Sequence, residues 1–388
     1  IFYTSENAFT TVYGAWVPPF SGNVTYYPRA WAHADGVDHV FPLSEKPDDF
    51  SDIVSRPPSA YLNAPYYPAG YMQQWNFTIG HELIRKLAFE IGYVGSKGTN
   101  LNSASSLSTY DYQSYLRTQA IYGSYVSPAL RTKGNNSKYH SLQVKVKKDF
   151  SNGLNFLSAF TWGHSLAESS NDDTNENALI DSSLAGDRIV LRQYSNADFD
   201  VRKRFVMSGG YELPFGRGKH FGSQWHPVVD GFLGGWQGHW ILTFSDGFPW
   251  TVYTSALRFP DRLGNGNLPS DQRTVNMWYD YTAFPTHQGT VIPDPNNPGQ
   301  NITVDLQGNS APNIIVGPGE NNLDFGVQKN FFVTEKVRTQ LRFEFFNLMN
   351  HPNFIGPSGT YWFNSSSGAQ VTRARDNRDI QVALKVLF

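Results

Sequence analysis

Polar and apolar residues alternate one by one along many stretches of this chain. In the last nine residues, Ile380, Val382, Leu384, Val386 and Phe388 fall on one face, and Gln381, Ala383, Lys385 and Leu387 on the other. A period of two predicts a strand with one apolar side. Upstream, Val337, Thr339, Leu341, Phe343 and Phe345 alternate with Arg338, Gln340, Arg342 and Glu344, and Leu323, Phe325 and Val327 alternate with Asp324, Gly326 and Gln328. A tight turn around Thr334-Glu335-Lys336 is expected between these two strands. Leu142, Val144 and Val146 alternate with Gln143, Lys145 and Lys147. Ser151-Asn152-Gly153 then predicts a hairpin into a strand with Leu154, Phe156, Phe160 and Trp162 on one face, because Asn-Gly is the strongest short hairpin signal. A further pair holds Trp75, Phe77 and Ile79, then Leu87, Phe89, Ile91 and Tyr93, joined around Glu82 to Arg85. Another runs from Phe205 to Leu213 and from Trp236 to Phe244.

The connections are of two kinds. Short turns alternate with long stretches at roughly residues 20–70, 96–138, 165–199, 254–320 and 349–377, which hold most of the Pro, Asn, Asp and Ser. Such lengths are unusual in compact soluble domains. Long loops on one side and short turns on the other are expected of an antiparallel up-and-down transmembrane β-barrel. The connection from Phe215 to Gly235 strains that pattern, because it belongs to the short-turn side. The fold class expected is all-β, present as a partial barrel of about ten strands with long extracellular loops. Pairing is expected to be antiparallel and between neighbours only.

Composition agrees. Aromatics make up 15% of the 388 residues and charged residues only 16%. No run of 18 apolar residues exists, which excludes a membrane-spanning helix but not a barrel, whose strands alternate. The polar faces carry Lys145, Lys147, Arg338, Arg342, Glu344, Gln381 and Lys385, suited to a wet lumen, while the opposite faces carry large apolar residues suited to lipid. Tyr93, Trp162, Tyr211 and Trp236 fit interfacial aromatic girdles; each also fits ordinary core packing. A net charge of -2 argues against nucleic-acid partners. With no cysteine, thiol catalysis, disulfides and thiolate metal sites are excluded. His81-Glu82 begins no zinc motif, since Arg85 stands where the second His belongs. Asp173, Asn175 and Asn177 resemble the start of a calcium loop, but Ala178 replaces the needed Gly and Leu184 the closing Glu. No Walker loop or G-x-S-x-G occurs. No enzyme activity and no cofactor or metal is expected.

Several segments resemble one family. Gly92-Tyr93-Val94-Gly95-Ser96-Lys97-Gly98-Thr99-Asn100-Leu101 is similar to its "YVGSKGxxL" strand end, Tyr139-His140-Ser141-Leu142-Gln143 to "YHSLQ", and Phe160-Thr161-Trp162-Gly163-His164-Ser165 to "YTWSKS". Asp200-Val201-Arg202-Lys203-Arg204-Phe205 with Tyr211-Glu212-Leu213-Pro214-Phe215-Gly216 resembles "D-x-R-x-R-F … YELPFG". Arg342 to Phe354 resembles "RxExFNxxNHPNF". The closing strand, ending on Phe388, resembles the assembly signal of outer-membrane β-barrels. The family is the Oar-like TonB-dependent receptors, and the resemblance covers residues 71–388, with 1–70 weakly matched.

It implies a barrel of about 22 strands with a plugged lumen. It also implies a plug and a carboxypeptidase-regulatory-like domain upstream, so the chain is expected to be the C-terminal half of the barrel within a longer precursor. The implied function is outer-membrane transport of a nutrient with energy from TonB, in a Gram-negative bacterium. The implied partners are membrane lipid, the barrel-assembly machinery through the terminal strand, and TonB through a plug. A passive porin-like channel and a soluble β-rich carbohydrate-binding module are the alternatives.

Overall fold

The computed structural model describes residues 2–3, 61–63, 69–106, 129–168, 178–179, 191–192, 194–255, 259–293, 299–304, 308–332, 337–356 and 362–388. Its main feature is a twelve-stranded sheet, ten strands of which lie on one unbranched path. In chain order these ten are β1 (Phe2–Tyr3), β2 (Tyr71–Ile84), β3 (Leu87–Ser106), β4 (Ala129–Ser151), β5 (Leu154–Ala167), β6 (Lys203–Glu212), β7 (Trp236–Ser245), β8 (Glu320–Phe332), β9 (Arg338–Phe346) and β10 (Asp379–Leu387). Each pairs antiparallel with its sequence neighbours on the path. Among the described residues no ladder joins β10 to β1 or β2.

Local chemistry sets the turns. At the β4–β5 hairpin, Asn152 and Gly153 both have positive φ, 51° and 78°. That is the type I′ geometry whose twist matches the flanking strands. At the β2–β3 hairpin Lys86 has φ 71°, and a register shift falls between Glu82 and Ile84. The expected turn at Thr334-Glu335-Lys336 lies outside the described residues.

Two expectations need correction. First, pairing is not antiparallel throughout: Tyr61–Asn63 adds to β4 in parallel at Ala129–Arg131, and Val252–Tyr253 pairs in parallel with Trp362–Phe363. Both lie on the long-loop side, where strands far apart in sequence meet without hairpins. Second, β3 and β4 run through much of the stretch expected as loop. They have 20 and 23 residues, and at about 3.3 Å per residue β4 is roughly 75 Å long. A membrane crossing takes about 9–11 residues, so both strands continue beyond one. Apolar alternation fades there because neither face needs to be apolar, while the backbone ladder persists.

The long connections between β7 and β8 and between β9 and β10 hold a hydrophobic core of their own. Val252, Tyr279, Ala283, Phe284, Ile315, Trp362, Ala369 and Val371 form a buried cluster. The Trp362 ring packs on Tyr279 with centroids 5.0 Å apart. The Tyr279 hydroxyl donates to the Phe363 carbonyl, and Trp278 Nε1 donates to the Val316 carbonyl at 2.9 Å. The main hydrophobic core of the described residues therefore sits in these loops, not beneath the sheet.

Candidate functional site

Register fixes which side chains share a face, because paired residues point the same way and successive ones alternate. Leu384 pairs with Leu341 and Val382 with Phe343; Phe343 pairs with Val327, and Val327 with Gly238. Following the ladders to β2 collects Trp240, Leu242, Phe244, Met207, Phe205, Phe160, Trp162, Val144, Leu142, Ile91, Tyr93, Phe77 and Trp75 on the same face. The opposite face collects Gln381, Glu344, Arg342, Gln328, Asp324, Gln237, His239, Glu212, Ser208, Asn155, Thr161, Lys145, Gln143, Glu90 and Asn76 by the same pairings. One face is mainly apolar and the other mainly polar, although Val94, Leu157, Val206, Ile241 and Phe332 stand on the polar side and Lys203, Asn321 and Lys329 on the apolar one.

The apolar face has aromatic borders. On the loop side, Tyr93, His140 and Trp75 form a cluster. The Tyr93 hydroxyl lies 2.6 Å from His140 Nδ1, and Trp75 Nε1 donates to Tyr93 at 3.4 Å. Trp75 lies over Gly95, its cross-strand partner, where any Cβ would meet the indole ring. On the turn side stand Phe156, Tyr211 and Trp236. From His140 to Lys148, which pairs with Phe156, is about 26 Å of strand, or about 20 Å of height at a typical barrel tilt. That is of the order of the apolar band of an outer-membrane barrel.

All seven candidate residues read from the sequence lie on the polar face, but as local pairs rather than one cluster. Lys145 contacts Glu90 at 3.2 Å, and Lys147 contacts Asp149 at 2.9 Å. Arg342 contacts Glu344 at 2.6 Å, while Arg342 Nε is buried without a partner. Gln381 sits opposite Glu344, Lys385 opposite Gln340, and Arg338 opposite Phe332 near the turn end. The amide of Gln328 donates to Gln237, and that of Gln340 to Asn330, both at 3.0 Å. The signs of charge are mixed. A groove of about 610 Å³ on the turn-side half of this face is lined by Lys147, Asn155, Leu157, Ser208, His239 and Ile241. A second cavity of about 380 Å³ lies where the sheet meets the loop layer, lined by Asp246, Arg273, Trp278, Asn321, His351 and Phe354. Arg273 lies over the Trp278 ring at 5.6 Å. Burial pushes its guanidinium below the ordinary arginine value, and it remains charged. Phe388 follows β10 and is fully exposed.

The motifs prove to be joints. In Asp200-Val201-Arg202, the buried Asp200 accepts from Ser165 N and from Arg202 Nε, each at 2.6 Å. Arg202 also lies 2.7 Å from His164 Nε2 and donates to Asn196 at 2.9 Å. Asn196 and Asn313 exchange two side-chain-to-backbone bonds of 2.8 Å, which tie the top of β5 to the loop layer. In Asn347 to Phe354, Asn347 has φ 49° and closes its own loop by bonds to His351, while Asn353 accepts from Asn321 N at 2.8 Å. Among the described residues no group of three or more His, Cys, Asp or Glu could hold a metal ion. The acidic stretch from Asp173 to Asn177 lies outside them.

Lys329 is the residue the alternation did not reveal. Its register neighbours are Trp236 and Leu341, so it stands on the apolar face. A bare cation there would be costly. It is instead buried beneath the seven-residue helix α1 (Pro227–Leu233), its ammonium donating to the carbonyls of Gly234 and, at 3.3 Å, Asp230. The last carbonyls of a helix favour a cation, and the rings of Trp236 and Phe331 lie 5.9 and 5.3 Å away.

An antiparallel sheet with one apolar face bordered by aromatics, one polar face, and long connections at one end defines the wall of an outer-membrane β-barrel. The family model described as "Outer membrane beta barrel domain" matches residues 1–381, and the chain belongs to that family, a fold consistent with the Gram-negative outer membrane. Among solved structures, the chain is similar to the outer membrane transporter YddB from Escherichia coli, with 9% identity and a TM-score of 0.44 over 85% of this chain and 34% of that one. It is also similar to the pyoverdine outer membrane receptor FpvA from Pseudomonas aeruginosa PAO1 bound to pyoverdine, with 9% identity and a TM-score of 0.41 over 83% and 30%. The chain thus spans about a third of the length of the solved structures it matches. No curated protein matches it.

Proposed function

We propose that this chain is part of the barrel wall of a TonB-dependent outer-membrane receptor of the Oar-like kind, binding and passing a nutrient. The observation that carries the membrane half of the reading is the apolar–polar segregation kept through every long ladder from β2 to β10. In this reading the apolar face meets lipid. The polar face, with Lys145, Lys147, Arg338, Arg342, Glu344, Gln381 and Lys385, lines the lumen and meets a plug. The receptor half rests on the motifs quoted above, which occur in the family's order. The loop layer closes the outer mouth, and the Arg273–Trp278 cavity is where it offers a cation and a ring to a ligand. Energy comes from TonB acting on the plug. No catalytic step and no cofactor are assigned.

Planar-bilayer recording of the whole protein tests this against a passive channel. A plugged receptor stays closed in the absence of TonB. Steady open conductance would refute the plugged reading.

A further inference from the structure

The connection between β6 and β7, residues 213–235, belongs to the end of the sheet where short turns are expected, yet it is long. It straddles the sheet's rim. On the polar side, Lys219 bonds Glu212 at 2.8 Å. On the apolar side, α1 lies over Lys329, and Trp236 Nε1 donates to the Phe232 carbonyl at 2.9 Å. The helix sequence is Pro-Val-Val-Asp-Gly-Phe-Leu, and none of its residues is buried. At about 100° per residue, Val228, Phe232, Val229 and Leu233 span an arc of roughly 140°, and Asp230 falls outside it. Those four side chains are 41–69% exposed. Asp230 turns back instead, accepting from Arg217 N at 2.7 Å. Phe215 and Phe221 stand exposed in the same connection, their rings 5.6 Å apart. Arg217, His220 and His226 supply polar and basic groups beside them.

We propose that α1 is an interfacial anchor, inserting its Val228–Val229–Phe232–Leu233 arc into the phospholipid leaflet at the turn-side rim of the barrel. The occupant is lipid rather than protein because the arc continues the apolar face. The helix sits on that face, pinned by Lys329 and Trp236, and an apolar helix face beside polar and basic groups is the form that lies in a headgroup boundary. Lys329 is then the clamp: it caps the helix C-terminus and so holds the arc at the level of the acyl chains. The inference rests on the lipid-facing reading of the apolar side.

The absence of cysteine from these 388 residues permits a direct test. Spin labels are placed at Val228→Cys and Phe232→Cys in the whole protein, with any cysteine outside this chain removed, in vesicles of phosphatidylethanolamine and phosphatidylglycerol. Val382→Cys serves as the reference for the lipid face and Ser223→Cys for water. Collision with oxygen should exceed collision with a water-soluble nickel chelate at 228 and 232, at a depth of about 5–10 Å. Lys329→Met should release the helix and move both labels toward the Ser223 value. If 382 reports lipid while 228 and 232 report water, the anchor is wrong and the lipid-facing reading stands. Low collision with both reagents at 228 and 232 would mean a protein covers the helix, and overturns the anchor as well. If 382 itself reports water, both readings fall.

Discussion

The two faces of the sheet can be set against each other at Phe343. It lies five residues from the turn-side end of β9, about 17 Å along the strand and about 13 Å in height at a typical tilt. That is near the middle of a 25 Å apolar band, between Val327 and Val382. An arginine on a lipid face costs about 2–4 kcal/mol at mid-depth. Phe343→Arg also removes a ring 6.4 Å from Trp236, worth about 1 kcal/mol more. The expected loss is about 3–5 kcal/mol, roughly a hundred- to several-thousand-fold in the folding equilibrium. Gln340→Arg, three residues away on the polar face, loses one bond to Asn330 and should cost about 1 kcal/mol or less. Urea titration of the whole protein in vesicles, followed by tryptophan fluorescence and by heat-modifiable gel mobility, measures both. Equal losses, or a larger loss for Gln340→Arg, would refute the assignment of lipid to the apolar face.

Three further outcomes follow from the geometry. Trp362→Ala empties a site with no solvent exposure in the loop core and should cost that layer about 3–5 kcal/mol; limited proteolysis should cut the loops between β7 and β8 early while the sheet stays intact, and uniform degradation would contradict a separate loop core. Burial raises the Tyr279 hydroxyl well above the ordinary tyrosine value, so the folded layer favours its neutral form. Its contribution is fully present below the unfolded value of about 10 and is lost as pH rises through the folded one; absorbance at 295 nm should show one tyrosine ionising only as the layer opens, and its free titration near pH 10 with the loops intact would disprove the coupling. Gly153→Val puts a β-branched residue at φ 78° and should slow assembly and lower stability by about 1 kcal/mol or more, read from refolding yield; an unchanged yield would show that the I′ turn does not direct the β4–β5 pairing.

Alternation by itself determined the two-faced sheet. Pairing in a strand ladder preserves side-chain parity, so a run such as Leu142, Val144, Val146 against Gln143, Lys145, Lys147 already states which residues will share a face. Asn152-Gly153 likewise stated its turn, because few residues tolerate two positive φ angles in succession. The loop layer was illegible for the converse reason. Val252 and Trp362 meet as parallel two-residue strands from loops on either side of β8 and β9, and no local period marks residues that pack only through long-range closure. The resemblance to a family could pick out Asp200, Arg202 and Asn347, yet their work as joints depends on Ser165, His164 and His351 being brought to them by the fold. Lys329 lies two residues beyond the alternating run that ends at Val327, and alternation alone gave it no role. Only the helix from a distant connection, supplying carbonyls above it, made a charge at that position tolerable.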